Sequence, residues 1–179
     1  MATNWNELLR PVNVTQVVGN DRFVEDALEW ERTGEYPAAL LFIGEPGTGK
    51  TSAYNDMNVM WTNASDDRGI GHIREEVKNF SRLSGLGTKR KVVVFDEADG
   101  LTPQAQDAMR GIMEKYANRV LFVLTANYGD KIRPAIKSRC TTYTFKRVSA
   151  KQGATHLTRL TESCGVPVEW EPFYGDVVD

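Results

Sequence analysis

The hydrophobic period of this chain switches between helical spacing and unbroken apolar runs, and each switch predicts a boundary between a helix and a strand. From Asn20 or Asp21, apolar residues at Val24, Ala27, Leu28 and Trp30 predict a helix that stops at Thr33-Gly34. Ala38 to Ile43 is a continuous apolar run, the pattern of a strand buried on both faces of a parallel sheet. Asn58 to Thr62 predicts a short second strand, and Asn63-Ala64-Ser65-Asp66-Asp67 offers N-cap chemistry to the helix after it. In that helix Ile70, Ile73, Val77, Phe80 and Leu83 mark the core face. Lys91 to Phe95 and Arg119 to Thr125 predict two further buried strands. Between them Thr102 caps and Pro103 opens a helix with Ala105, Ala108, Met109, Ile112, Met113 and Tyr116 on one side. A turn or short helix about Ile132 to Ser138 leads into the alternating Thr141 to Phe145, and Ala150 to Ser163 is helix-like until Gly165-Val166-Pro167 breaks it. Helices set between buried strands give an α/β class with a parallel sheet. Residues 1 to 20 read as an irregular arm with scattered apolar anchors.

Composition changes this picture little. A length of 179 residues suits one ordinary domain, or one domain plus part of another. Lys+Arg 22 against Asp+Glu 24 leaves a formal charge of -2, so contact with nucleic acid calls for a local patch and not global basicity. Cys140 and Cys164 are too few for a disulfide framework and fit no metal spacing, which points to a reducing compartment and packing roles. No signal-peptide core and no run near the roughly 18 apolar residues of a membrane span is present, so a soluble, intracellular protein is expected. His156 lacks a second ligand at metal spacing and reads as an exposed helix residue.

The chemistry gathers where strands end. After Leu40-Leu41-Phe42-Ile43 comes Gly44-Glu45-Pro46-Gly47-Thr48-Gly49-Lys50-Thr51, the spacing of a loop that cradles phosphates. Its glycines let backbone N–H groups face phosphate oxygens, Lys50 supplies charge at the β/γ-phosphates, and the Thr51 hydroxyl is placed to ligate Mg²⁺. After Lys91 to Phe95 comes Asp96-Glu97-Ala98-Asp99, where Asp96 suits the Mg²⁺ shell and Glu97 the orientation or deprotonation of an attacking water. Asn127, past the next strand, either positions that water or is an ordinary turn asparagine. Arg74, Lys78 and Arg82 fall four apart in one row, which reads equally as a solvated face or as a track for a phosphate backbone.

Taken together, Gly44 to Thr51, Asn63 to Ile70, Phe95 to Asp99, Ala105-Gln106, Thr125-Ala126-Asn127 and Ser138-Arg139-Cys140 resemble the AAA+ clamp-loader ATPases, closest to replication factor C small subunits and their phage counterparts, over roughly residues 8 to 148. The resemblance implies a P-loop NTPase (AAA+) α/β fold, a parallel sheet flanked by helices, over 1–147, and an incomplete helical lid over 148–179 without a collar domain. It implies ATP and Mg²⁺ as cofactors, with Glu45, Pro46, Gly47, Thr48, Gly49, Lys50, Thr51 and Ser52 at the phosphates and Arg10 and Val18 in the segments that wrap the adenine. Glu97 and Asn127 become the water-activating and sensor residues, and Arg139 the arginine finger that reaches the ATP of a neighbouring subunit. Arg68, Arg74 and Lys78 match the region that tracks duplex DNA. The implied function is an ATPase subunit that loads a sliding clamp on DNA during replication. Its partners would be other clamp-loader subunits, the sliding clamp and primer-template DNA, with no membrane and a cytoplasmic location, nuclear in a eukaryote.

Three departures from the family pattern bear on turnover. Thr51 to Asn58 is too short for an ordinary parallel crossover, so the helix behind the loop is expected to shrink to about two turns or the second strand to be displaced, with an internal deletion as the explanation. The chain stops at Asp179, before the positions of the family's sensor arginine and collar, and Gly111 follows Arg110 where relatives carry a second basic residue. Hydrolysis itself therefore stays open. The alternatives are a non-hydrolysing AAA+ scaffold and another AAA+ DNA motor such as a branch-migration ATPase. The letters Asp-Glu-Ala-Asp also occur in DEAD-box helicases, but no Ser-Ala-Thr follows them in this chain.

Overall fold

The three most apolar runs lie side by side. In the computed structural model, which describes residues 11, 13–54, 58–63, 69–82 and 91–163, five strands form one sheet. They are β1 (Ala39–Ile43), β2 (Asn58–Asn63), β3 (Lys91–Asp96), β4 (Leu121–Ala126) and β5 (Thr141–Thr144), in the order β2-β3-β4-β1-β5. Every neighbouring pair is parallel. Parallel neighbours need crossovers, which cover both faces of the sheet, and this is why β3, β4 and β1 carry apolar residues without alternation. Their side chains still alternate in direction. Leu41, Val93, Phe95, Phe122 and Leu124 join one core layer, and Leu40, Phe42, Val92, Val94, Leu121 and Val123 join the other.

Three helices close these layers: α1 (Asp21–Thr33) covers the second, and α2 (Gly69–Arg82) and α3 (Pro103–Tyr116) cover the first. Ile73, Val77, Met109, Ile112, Met113 and Tyr116 fill the first layer. The Thr102 hydroxyl accepts the Ala105 N–H at 3.2 Å and Pro103 takes the first helical position, so α3 starts where its cap dictates. In the second layer the Phe23 ring of α1 stands 5.1 Å from Phe42 and 5.4 Å from Tyr143. Truncation of a ring held this way costs about 3–5 kcal/mol. Gly34 ends α1 in the left-handed region and donates its N–H to the Trp30 carbonyl at 2.8 Å. Two more helices, α4 (Pro134–Lys137) and α5 (Ala150–Ser163), precede and follow β5.

Behind the loop, Thr51–Tyr54 is a 3-10 turn, residues 55–57 lie outside the described residues, and β2 keeps a regular place at the sheet edge beside β3. The few residues between Lys50 and β2 disfavour an α-helix, whose nucleation is costly, and Thr51–Tyr54 takes the tighter 3-10 bonding. Residues 64–68 and Leu83, expected as a cap and a core position, lie outside the described residues. Gly111 is exposed on α3, with open space where a Cβ would stand. Cys140 packs against the first layer, and burial pushes its thiol up to about 12, which suits a packing residue. Among the described residues no helix is long and apolar enough to cross a membrane.

Candidate functional site

β3, β4 and β1 are neighbours and parallel, so the segments following their last residues meet on one edge of the sheet. After β1, the Gly44 N–H donates to the Ala126 carbonyl at 3.1 Å. A Cβ at Gly44 would stand 2.3 Å from the Phe145 carbonyl oxygen, so only glycine lets the chain leave the sheet at this point. Gly47 and Gly49 have φ of 79° and 92°, the left-handed values that curl successive N–H groups into a concave nest. Buried Thr48 donates to the Glu45 carbonyl at 2.8 Å and braces the turn. Thr51 and half-buried Ser52 open the 3-10 turn, whose Ser52 N–H reaches the Gly49 carbonyl at 3.1 Å. Pro46 and Glu45 are exposed, and the Glu45 carboxylate pairs with Arg147 at 2.6 Å.

Lys50 is 9 % exposed, and its ammonium donates to the Gly44 carbonyl (2.6 Å), the Glu45 carbonyl (2.9 Å) and Asn127 Oδ1 (2.9 Å). Burial lowers its pKa from the ordinary 10.5, and the charges of Asp96, Asp99 and Glu97 act against that shift. Asp96 ends β3, where its Oδ1 accepts the Thr125 hydroxyl at 2.5 Å, and the same hydroxyl oxygen accepts the Glu97 N–H at 3.0 Å. Glu97 is exposed and has φ 52°, a left-handed conformation that non-glycine residues adopt at a cost. Asn127, following β4, receives Lys50 on its side-chain oxygen while its own N–H donates to Asp99 Oδ2 at 3.2 Å. Lys50, Asp96 and Asn127 thus share one sheet edge, within a few hydrogen bonds of one another.

These residues fit a polyphosphate with a divalent cation. The nest supplies donors, the lysine charge stands beside it on carbonyl and amide oxygens that phosphate oxygens can replace, and a carboxylate closes β3 on the far side of β4.

Beside this edge a cavity of about 390 Å³ is lined by Val17, Val18 and Gly19 on one side and by Lys151, Gln152, Thr155 and His156 of α5 on the other. Periodicity did not reveal the α5 contribution, and His156, expected as an exposed helix residue, is half-buried there. No local signal could have found it, because the cavity exists only once α5 folds back on the arm. The bonding role of Gln106 also escaped the pattern. Its buried amide donates to the Leu101 and Lys131 carbonyls at 3.3 and 3.0 Å and accepts the Arg133 N–H at 2.9 Å, pinning the chain that follows β4. Arg10 and Arg68 lie outside the described residues.

Arg139 stands apart from Lys50. It comes just before β5, whose Thr141 pairs with Leu40 at the start of β1, whereas Lys50 follows Ile43 at the end of β1. At about 3.3 Å per strand residue, the length of the sheet separates the two ends. Arg139 donates to Glu114 through Nε at 2.7 Å and to the Ala135 carbonyl at 2.6 Å. With Ala38, Ala39, Met113 and Ala117 this pair borders a cavity of about 180 Å³. On α2, Arg74 is exposed, and Lys78 pairs with Glu75 at 2.9 Å.

Residues 40–148 match the family described as "ATPase family associated with various cellular activities (AAA)". The chain is 37% identical over 177 residues to the replication factor C small subunit of Methanocella arvoryzae, covering 92% of this chain and 55% of that protein. It is 39% identical over 160 residues to replication factor C subunit 3 of Schizosaccharomyces pombe, covering 83% of this chain and 46% of that protein. The chain spans about half the length of the curated relatives it matches. Among solved structures, the Thermotoga maritima RuvB Holliday junction branch migration motor superposes with a TM-score of 0.69 over 91% of this chain and 57% of that one. At 17% identity that likeness speaks for the fold alone.

Proposed function

The chain belongs to the AAA family of ATPases, and on that premise we propose that it is an ATP-hydrolysing subunit of a DNA sliding-clamp loader. The observation that carries the nucleotide half is the meeting of Lys50 with Asn127 beside Asp96 on one sheet edge. The clamp-loader half is supported by replication factor C relatives that match nearly the whole chain. In this reading the Gly47 and Gly49 nest and Lys50 hold the phosphates of ATP, and Thr51 and Asp96 hold Mg²⁺, which supplies charge neutralisation at those phosphates. Glu97 accepts the proton of the attacking water, and Asn127 orients that water. Val18 and the cavity it shares with α5 take the adenine. Arg139, at the opposite end of the sheet, serves the nucleotide of the next subunit, and Arg74 and Lys78, with Arg68, follow the backbone of primer-template DNA.

A second reading, a nucleotide-binding scaffold without turnover, is favoured by the 3-10 turn Thr51–Tyr54 at the place where an α-helix would begin behind the loop. One experiment separates them. MgATP should raise the melting temperature of the chain, and turnover should appear with sister subunits, clamp and primed DNA. A thermal shift without stimulated turnover leaves the scaffold, and no shift at all defeats both.

A further inference from the structure

The proposed reaction gives Asp99 no task, yet this carboxylate is built into the site. The left-handed Glu97 and the 3-10 turn Ala98–Gly100 reverse the chain past β3, closed by the Gly100 N–H on the Glu97 carbonyl at 2.9 Å. That reversal sends Asp99 back onto β4, where its Oδ2 accepts two successive backbone N–H groups, those of Asn127 at 3.2 Å and Tyr128 at 3.1 Å. Its Oδ1 is buried without a hydrogen-bond partner among the described residues. A buried carboxylate oxygen with no donor is unfavourable, so packing alone is a poor reason for an aspartate at this position. Charge-assisted bonds to two consecutive amides, in contrast, fix the direction of the chain leaving a strand. That direction decides where the Asn127 side chain points, and it points its oxygen at the Lys50 ammonium, 2.9 Å away.

We propose that Asp99 is a positioning residue, which by gripping the Asn127 and Tyr128 N–H groups aims the Asn127 amide at Lys50 and so sets where both meet the phosphates. The proposal rests on the nucleotide reading above for its consequence, but not for its geometry. Because the device acts through hydrogen-bond acceptance, Asp99→Asn retains it through the amide oxygen, whereas Asp99→Ala abolishes it. Because it acts through Asn127, its loss and the loss of the Asn127 amide remove the same thing, and their effects must not add.

Two measurements on the full chain test it. In nucleotide-free ¹H–¹⁵N spectra, Asp99→Ala should move the Asn127 and Tyr128 backbone amides and the Asn127 side-chain amide upfield, and Asp99→Asn should leave them close to their original positions. Calorimetry with MgATP should then show Asp99→Ala and Asn127→Ala each weakening binding by about tenfold, the double variant no weaker than either, and Asp99→Asn within about threefold of the parent. Should Asp99→Ala not fold, Asp99→Ser, whose shorter side chain stops short of both N–H groups, takes its place. Unmoved amides in Asp99→Ala, or full additivity with Asn127→Ala, would overturn the proposal. A parent chain that binds no MgATP defeats the nucleotide reading instead, and the amide positions alone then decide whether Asp99 aims Asn127.

Discussion

At the scale of single residues, Glu97 stands in a conformation that a merely stable chain would avoid. Glu97 at φ 52° is the non-glycine residue with positive φ among those described. If the strain is kept for the carboxylate, stability and turnover should separate on substitution. Glu97→Gly and Glu97→Ala both remove the carboxylate and should both abolish hydrolysis while MgATP binding persists. The glycine variant should be the more stable of the two by about 1 kcal/mol, because glycine adopts positive φ freely. Equal melting temperatures would mean that Glu97 bears no strain. Lys50 gives a second prediction through pH. Its lowered pKa means the folded chain releases this proton before the unfolded one does, so between the folded value and 10.5 the unfolded state binds more protons. The unfavourable contribution of burying this charge is thus full at neutral pH and fades as pH rises through that window. Nucleotide affinity moves the other way, since only the ammonium attracts phosphate. Binding of MgATP, titrated from about pH 7 upward at constant ionic strength, should fall before 10.5, and Lys50→Arg, which keeps its charge, should lack this step. A parent affinity flat up to 10.5 would remove Lys50 from the phosphate contact.

At the scale of elements, α2 decides between a solvated face and a phosphate track. Its basic row is not uniform. Lys78 is engaged by Glu75, whose pKa the Lys78 hydrogen bond and charge lower, while Arg74 is exposed on the next turn. A DNA backbone laid along α2 should therefore lean on Arg74 more than on Lys78. Arg74→Ala should weaken DNA binding and reduce the slope of log affinity against log salt by about one, with a smaller effect for Lys78→Ala. Glu75→Gln, which releases Lys78, should strengthen binding. An unchanged slope in Arg74→Ala returns the row to an ordinary solvated face. The same scale shows what sequence can and cannot disclose. Strands β1, β3 and β4 and helices α1, α2 and α3 are legible because burial on two faces or on one imposes a period on consecutive residues, and Thr102 is legible as a cap because capping is local. Glu97's left-handed turn, the Gln106 bonds and the half-buried His156 are not, since each depends on a segment distant in sequence. The meeting of Lys50 with Asn127 stands between these cases. The glycine pattern announces a loop, but only the strand order β4-β1 brings the asparagine to it.

At the scale of the whole molecule, the proposed phosphate site and Arg139 lie at opposite ends of one sheet. Lys50 and Asn127 follow the carboxyl ends of β1 and β4, and Arg139 precedes the amino end of β5, held by Glu114. Parallel strands keep Arg139 and Lys50 apart within one chain, because a parallel sheet sends every strand end of one kind to the same edge. If Arg139 acts on a nucleotide, that nucleotide belongs to a neighbour. A guanidinium supplied in this way is worth roughly 10³ to 10⁵ in turnover, so the separation can be read from kinetics. Lys50→Ala leaves a chain unable to hold phosphate but with Arg139 intact, and Arg139→Ala leaves the converse. Each variant assembled alone with the sister subunits should be nearly inactive wherever this chain must act on another copy of itself, and a mixture of the two should recover part of the parent rate. Where the neighbours are sister subunits only, Arg139→Ala should instead slow hydrolysis in the subunit next to it and leave this chain's own MgATP affinity unchanged. An Arg139→Ala chain that loses its own nucleotide affinity would place the guanidinium at the site of its own chain, contrary to the geometry of the sheet.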